Sequence, residues 1–412
     1  MKILLLHQNF PGQFLHLAPA LAARGHEVVA LTTEDNKRPS PVPVFRYRTP
    51  PLSDIKGLGA TYAAAAERGS VAARAAAQLQ RDKGFRPDVV FGQAGWGETL
   101  FLREIFPKAR HLTYAEFMYR ATGADTGFDP EFQTTGPGVG IAVTARAAHL
   151  VQAAHLSDAC LSPTAWQAST FPEDLRQRIT VIHDGIDTVR VRPDPEASLT
   201  LPGGQVLRAG DEVLSFVSRR LEPYRGYHTF MRALPDILKA RPDAQVVIVG
   251  DEGQSYGTKP PDARSWKQRF LEEVQDRIDP ARVHFLGRVP YDSFVSLMQL
   301  TRVHAYLTYP FVLSWSMLEA MSAGALVLGS ATPPVTEMIE HGRNGLLYDF
   351  FDIDGLATSA IEALAHPERH AELRANARQS IIERYDLARV CLPAWLARID
   401  AIAAGASVTG RP

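Results

Sequence analysis

Short apolar runs alternate with helical repeats from the first residues onward. Lys2–Leu6 reads as a strand, His7–Gly12 as a polar turn, Gln13–Arg24 as a helix and Glu27–Thr32 as a second strand. In the helix Phe14, Leu17, Ala18 and Leu21 recur at helical spacing, Gly25 stands where a stop is expected, and Pro19 predicts a kink. Asp88–Phe91 and His111–Tyr114 continue the pattern. Continuous apolar strands between helices belong to parallel sheets buried on both faces, so the fold class expected is α/β and doubly wound.

The pattern restarts after Arg190–Gly210, whose polar, proline-bearing composition suits a linker. Val213–Val217 is then a strand, Tyr227–Ala240 a helix, and Gln245–Val249, Val283–Leu286 and His304–Leu307 further strands. Two Rossmann-like domains are therefore expected, 1–195 and 196–384, facing each other across a cleft. Apolar positions near the end predict helices; the last, Tyr385–Ile402, is expected to cross back so that about 385–412 joins the first domain. Ala60–Gln80 reads as a plain surface helix.

Composition narrows the function classes. A chain of 412 residues suits two domains of roughly 200 each. With 44 basic against 45 acidic residues there is no overall field for nucleic acid. Cys160 and Cys391 are the only cysteines and show no CxxC spacing, against a disulfide framework or a zinc site. The first apolar run is too short for a signal peptide and no later run has the length of a membrane span, so the expected location is cytoplasmic, with peripheral membrane contact left open.

Three stretches carry candidate chemistry, each following a strand. In His7-Gln-Asn-Phe-Pro-Gly12, Gly12 would let the backbone approach a ligand at a helix start; the competing reading is a simple turn, and His7 is as readily structural. In Ser218–Gly226, Arg220 and Arg225 flank a proline turn where two guanidinium groups can converge on a diphosphate, unless they are ordinary surface arginines. Tyr309–Gly324 opens a helix in which Ser316 and Glu319 have capping-box spacing; Glu319 either satisfies its own helix start or accepts hydrogen bonds from ribose hydroxyls. Asp352 and Asp354 have D-x-D spacing, yet stand at a helix start where capping explains them, so no metal is expected.

These strings form an ordered set. Leu318-Glu-Ala-Met-Ser-Ala-Gly324, Val335–Leu347, Arg220-Leu-x-x-x-Arg225-Gly226, Phe285-Leu-Gly-Arg-Val289 and Val181-Ile-His-Asp-Gly-Ile-Asp187 together resemble the retaining glycosyltransferases of family 4, which have the GT-B fold. The resemblance implies that Arg220 and Arg225 grip the diphosphate of a nucleoside diphosphate sugar, of UDP or GDP type. It also implies that Glu319 binds the ribose, that Ser314, Ser316 and Met317 contact phosphate or sugar, that the backbone at Arg288 and Val289 receives the base, and that Gly12 lies under the donor.

The sequence departs from the family in two places: Phe311 stands where the first of two glutamates is usual, which leaves the donor sugar open, and Arg225 replaces a usual lysine. Where the family often carries a histidine, this chain offers Glu116, which could orient an acceptor hydroxyl or take its proton, or simply pair with a cation. Arg120 and His183 are further residues that could line the cleft. The expected activity is transfer of a hexosyl group, with retention and without metal or cofactor, to a glycan, lipid-linked, protein or small-molecule acceptor. A sugar-nucleotide epimerase and a non-catalytic nucleotide-binding subunit are the alternatives.

Overall fold

A computed structural model of the protein describes residues 1–133, 135–253, 255–260 and 265–405. The chain divides into two compact units. The first comprises Met1–Thr126, Thr135–Asp184 and Ala388–Pro412, the second Gly127–Thr134 and Gly185–Leu387.

In the first unit, β1 (Lys2–Leu6), β2 (Glu27–Thr33), β3 (Val44–Tyr47), β4 (Val89–Gln93), β5 (Arg110–Tyr114), β6 (Ala159–Ser162) and β7 (Ile179–Val181) form one sheet in the order β3-β2-β1-β4-β5-β6-β7. Every neighbouring pair is parallel. Strand β1 shows why its sequence is apolar throughout. Ile3 and Leu5 join one core with Phe14, Leu17 and Trp395, while Leu4 and Leu6 join another with Ala72, Ala76 and Leu79. Successive side chains of a strand point to opposite faces, so a strand covered on both sides has no polar face to spare.

Two sequence expectations are corrected here. The alanine-rich helix, Ala60–Lys83, is more than a plain surface helix: Glu67, Arg74 and Gln78 are exposed, but Ala65, Ala72, Ala73, Ala75, Ala76 and Leu79 are buried, and its small side chains allow close packing on the sheet. Pro19 makes no kink, because the helix begins only at Leu17 and a proline in the first turn has no intrahelical N–H bond to lose. The helix Leu392–Ala403 packs into the first unit through Trp395, Ile399 and Ile402, and Trp395 Nε1 donates to the His183 carbonyl at 3.0 Å.

The second unit opens with a small antiparallel pair, β8 (Ser198–Thr200) and β9 (Val206–Arg208). Val191, Ala197, Leu201 and Leu207 of this region belong to the unit's core, so Arg190–Gly210 is not a linker and the unit begins at Gly185 rather than at 196. Its polar composition concealed apolar positions spaced so that they all face inward. The main sheet contains β10 (Val213–Arg220), β11 (Gln245–Asp251), β12 (Val283–Gly287), β13 (Val303–Tyr306), β14 (Leu326–Ser330) and β15 (Leu346–Tyr348), ordered β12-β11-β10-β13-β14-β15 and parallel throughout. The chain returns to the first unit at Ala388.

Asp352 accepts from the Gly355 N–H at 2.8 Å and so caps the helix Ile353–Ala365. Among the described residues no helix is long and apolar enough to cross a membrane.

Candidate functional site

Both sheets reverse direction at one point, and in doubly wound sheets ligands bind at the carboxyl ends of the strands flanking that reversal. In the second unit the reversal lies between β10 and β13. Arg220 ends β10, Arg225 lies in the loop that follows it and Thr308–Ser314 in the loop after β13, and the two loops are tied together. Arg225 Nη1 donates to Thr308 Oγ1 at 2.9 Å and to the Val312 carbonyl at 2.7 Å, and the Tyr309 N–H donates to the Tyr224 carbonyl at 3.0 Å. The close approach needs Gly226, whose φ is +66° and where an added Cβ would stand 2.2 Å from Leu307 Cβ.

Arg220 bonds Asp251 Oδ2 through Nη1 at 2.9 Å, and the same carboxylate oxygen pairs with Arg288. Arg220 Nε is buried and makes no hydrogen bond to the described residues. A half-buried guanidinium at a strand end suits an anion that arrives from solution. Glu222, buried at the turn between the two arginines, accepts the N–H groups of Ser255 (3.0 Å) and Tyr256 (3.1 Å), fixing the loop after β11.

The helix Trp315–Ala323 begins at the same place. Its N-cap is Ser314, whose hydroxyl accepts from the Ser316 N–H and lies 3.0 Å from Ser316 Oγ, while the Ser314 N–H donates to Tyr306 Oη at 2.8 Å. The capping-box reading of Glu319 is therefore corrected: the cap lies two residues earlier than Ser316, and Glu319 is too far along the helix to reach back. Its carboxylate instead accepts the Tyr291 hydroxyl at 2.7 Å. Burial raises the Glu319 pKa to about 7, with the Tyr291 hydrogen bond opposing that rise. Val289, half-buried, is two residues before Tyr291, so the segment after β12 and Glu319 are neighbours.

Phe311 is 2% exposed. Its ring packs edge-on against Tyr224 and Tyr256, at 5.5 and 4.6 Å between centroids, and the Arg225 guanidinium lies 5.5 Å from its centre. The position that holds an acid in the family pattern is here a packing position beneath an arginine.

In the first unit the reversal lies between β1 and β4. His7 is buried at the end of β1. Its Nδ1 accepts from the Asn9 N–H at 2.9 Å, so Nε2 carries the proton and donates to Gln13 Oε1 at 2.7 Å. Desolvation lowers the His7 pKa to about 4, which keeps the ring neutral. Gln13 Nε2 in turn donates to Glu116 Oε1 at 2.9 Å, and Gln93 Nε2, at the end of β4, donates to Glu116 Oε2 at 3.1 Å. Gly12 has φ +49°, and an added Cβ would lie 2.4 Å from His7 Nε2, so its close approach is to the His7 ring.

The structure thus joins His7, Gly12 and Glu116 in one network, with Arg120 exposed four residues beyond Glu116. His183 is buried and held neutral, its pKa lowered to about 4 by desolvation. Asp251, Glu222, Tyr291, Gln13 and Gln93 were not singled out from the sequence, since each acquires its role through a partner far along the chain.

Known proteins resemble both units. The family model for the glycosyl transferase family 4 group matches residues 24–191, and that for glycosyl transferases group 1 matches residues 204–380. The chain resembles glycosyltransferases in both of its units. The fold is GT-B, α/β with two Rossmann-like doubly wound units. The solved sucrose-phosphate synthase of Thermosynechococcus elongatus superposes with a TM-score of 0.75 at 18% identity, covering 98% of this chain and 100% of that one. Anabaena HepE, solved in complex with UDP-glucose, gives 0.66 at 17% identity over 98% and 100%.

Among curated relatives, N-acetyl-alpha-D-glucosaminyl L-malate synthase of Bacillus anthracis is 29% identical over 35% of this chain and 34% of its own length. A GDP-mannose-dependent alpha-(1-6)-phosphatidylinositol monomannoside mannosyltransferase of Mycobacterium tuberculosis is 27% identical over 49% of this chain and 50% of its own. The chain thus matches between a third and a half of the length of these relatives.

Proposed function

We propose that the protein transfers a hexosyl group from a nucleoside diphosphate sugar to an acceptor hydroxyl, with retention at the anomeric carbon and without a metal ion. The observation that carries this reading is the convergence of Arg220, Arg225 and a capped helix start on the reversal point of the second unit's sheet, beside the buried carboxylate of Glu319.

In the donor site, Arg220 and Arg225 bind the diphosphate and the first turn of the helix Trp315–Ala323 supplies further N–H groups. When the bond to the sugar breaks, negative charge grows on the departing phosphate. Fixed guanidinium groups and helix amides stabilise that charge without reorganising, and so supply what a divalent ion supplies elsewhere. Glu319 keeps one oxygen engaged by Tyr291 and accepts a ribose hydroxyl with the other. The segment Arg288–Val289 receives the base. In the first unit Glu116, oriented by two glutamine amides, takes the proton or the hydrogen bond of the acceptor hydroxyl. The donors named for similar proteins, UDP-glucose and GDP-mannose, make UDP and GDP sugars the first to try.

The test is calorimetric titration of the purified protein with UDP, GDP and their sugar conjugates in the presence of a chelator, repeated with Arg220→Ala and Glu319→Ala. One nucleotide family should bind the wild type, and both substitutions should weaken it at least tenfold. Absence of binding by every nucleotide would sink the reading.

A further inference from the structure

Seven residues, Gly127–Gln133, leave the first unit's part of the sequence and are built into the second unit. Their side chains form a dense set of contacts there. Phe128 packs on Tyr309, Phe350 and Phe351, with ring centroids 5.1, 5.2 and 5.3 Å away. Phe132 meets His228, Trp266 and Phe270 at 4.9, 5.1 and 5.8 Å. Glu131 forms a two-pronged pair with Arg232, both contacts at 2.7 Å.

At the centre lies Asp129, 2% exposed. Its Oδ2 accepts the Tyr309 hydroxyl at 2.8 Å and faces His228 Nε2 at 3.2 Å, and its Oδ1 accepts the Glu131 N–H at 3.0 Å. Burial would raise the Asp129 pKa, but the hydrogen bonds from His228 and Tyr309 outweigh it and hold the carboxyl below its ordinary range.

Two of the residues so held, Tyr309 and Tyr224, belong to the loops that follow β13 and β10. Gln133 Nε2 donates to the Tyr224 hydroxyl at 3.2 Å, the two tyrosine rings lie 4.7 Å apart, and Tyr309 is bonded through its N–H to the Tyr224 carbonyl. Tyr309 directly follows Thr308, which accepts from Arg225, and Phe311 beneath Arg225 touches Tyr224. A buried carboxylate thus fixes the hydroxyl end of a tyrosine whose backbone is bonded to the residue before Arg225 and whose chain neighbour accepts from that arginine.

We propose that Asp129 is a positioning residue of the donor site, acting through Tyr309 to hold the Thr308–Ser314 loop and Arg225 in the geometry that receives a nucleoside diphosphate. The inference rests on the reading of that site given above. A packing role alone would require the contacts of Phe128 and Phe132, but not a hydrogen-bonded ion aimed at the one loop that joins both strand ends.

The test uses the full chain carrying Asp129→Asn, Tyr309→Phe or both, with calorimetric affinity for UDP and GDP, thermal melting, and the donor KM and kcat measured in parallel. Tyr309→Phe removes a single oxygen and keeps the ring, so it reports even where Asp129→Asn folds poorly. Each single variant should weaken the nucleotide that the wild type binds by roughly tenfold, the worth of one hydrogen bond to a charged group. The double variant should be no weaker than the worse single, and the loss should fall on donor KM rather than on kcat. Variants that melt earlier yet bind nucleotide with wild-type affinity would reduce Asp129 to a packing residue and overturn the inference alone. A wild type that binds no nucleotide would overturn the donor reading and the inference with it.

Discussion

The two sheet reversals share a topology and differ in chemistry. Arg220 and Arg225 stand at the β10–β13 reversal, and Asp251 at the end of β11 pairs Arg220 with Arg288 from the segment after β12. At the β1–β4 reversal the polar side chains are a neutral histidine and two glutamines arranged around one carboxylate. The same strand–loop–helix frame therefore presents guanidinium groups in one unit and a single oriented carboxylate in the other. Under the proposed function a diphosphate would use the former and a hydroxyl that must lose a proton the latter.

The sharpest way to break that contrast is Glu116→Gln. The change keeps the shape and removes the base, so kcat should fall about 10³-fold, within the range for general-base loss, while nucleotide affinity measured by calorimetry stays at the wild-type value. Weakened nucleotide binding in this variant would show that the two reversals do not act separately.

Arg225→Ala should have the next largest effect. It removes a charge from the donor site together with the bonds to Thr308 and Val312, and kcat/KM for the donor should drop about 10²-fold in steady-state assays. Arg225→Lys tests geometry against charge: a planar fork that bridges two loops is not replaced by a point charge, so only part of the activity should return.

The smallest effect expected is on pH dependence. Burial raises the Glu319 pKa to about 7, so below that pH the acid form dominates and the ribose contact weakens; affinity for a nucleotide sugar, whose phosphates stay ionised over this range, should fall by up to tenfold per unit. Stability moves the other way. A carboxyl whose folded pKa lies above its unfolded value contributes fully below the unfolded pKa, near 4.5, and that contribution is lost as the pH rises through 7. Glu98, buried and likewise raised to about 7 by desolvation, adds to the stability trend but lies in the other unit. Glu319→Gln should flatten the affinity profile and reduce the slope of melting temperature against pH; an unchanged affinity profile would remove Glu319 from ribose binding.

The clustering of Arg220, Arg225 and Glu319 was legible in the sequence because they lie in short stretches at or after the ends of apolar strands: the arginines are five positions apart, and Glu319 is on the helix that follows β13. The positions of the apolar strands and the helix Tyr227–Ala240 were equally plain from periodicity, though not the strand edges: β10 runs to Arg220 and β11 to Asp251, past the apolar residues that announced them. What the sequence concealed depends on distance along the chain. Gln13 and Glu116 are 103 positions apart, Asp129 and Tyr309 180, and no local pattern announces either bond. The helix cap shows a subtler limit. Ser314 and Ser316 both precede an apolar run, and spacing to Glu319 favoured the wrong serine, because a capping box assumes that the glutamate has no better partner than the helix start. Tyr291, 28 positions away, is that partner.

The late return of the chain to its first unit has a consequence for biosynthesis. Trp395 stacks between Phe91 and Tyr114, at centroid distances of 5.5 and 5.9 Å, from a helix translated after the whole of the second unit. In synthesis every residue of the second unit is added before the helix that covers Phe91 and Tyr114. The unit with the earlier sequence is thus the one whose core closes last, and a released chain cut after residue 387 would carry a first unit whose Phe91 and Tyr114 lack their cover, a surface of the kind that chaperones engage.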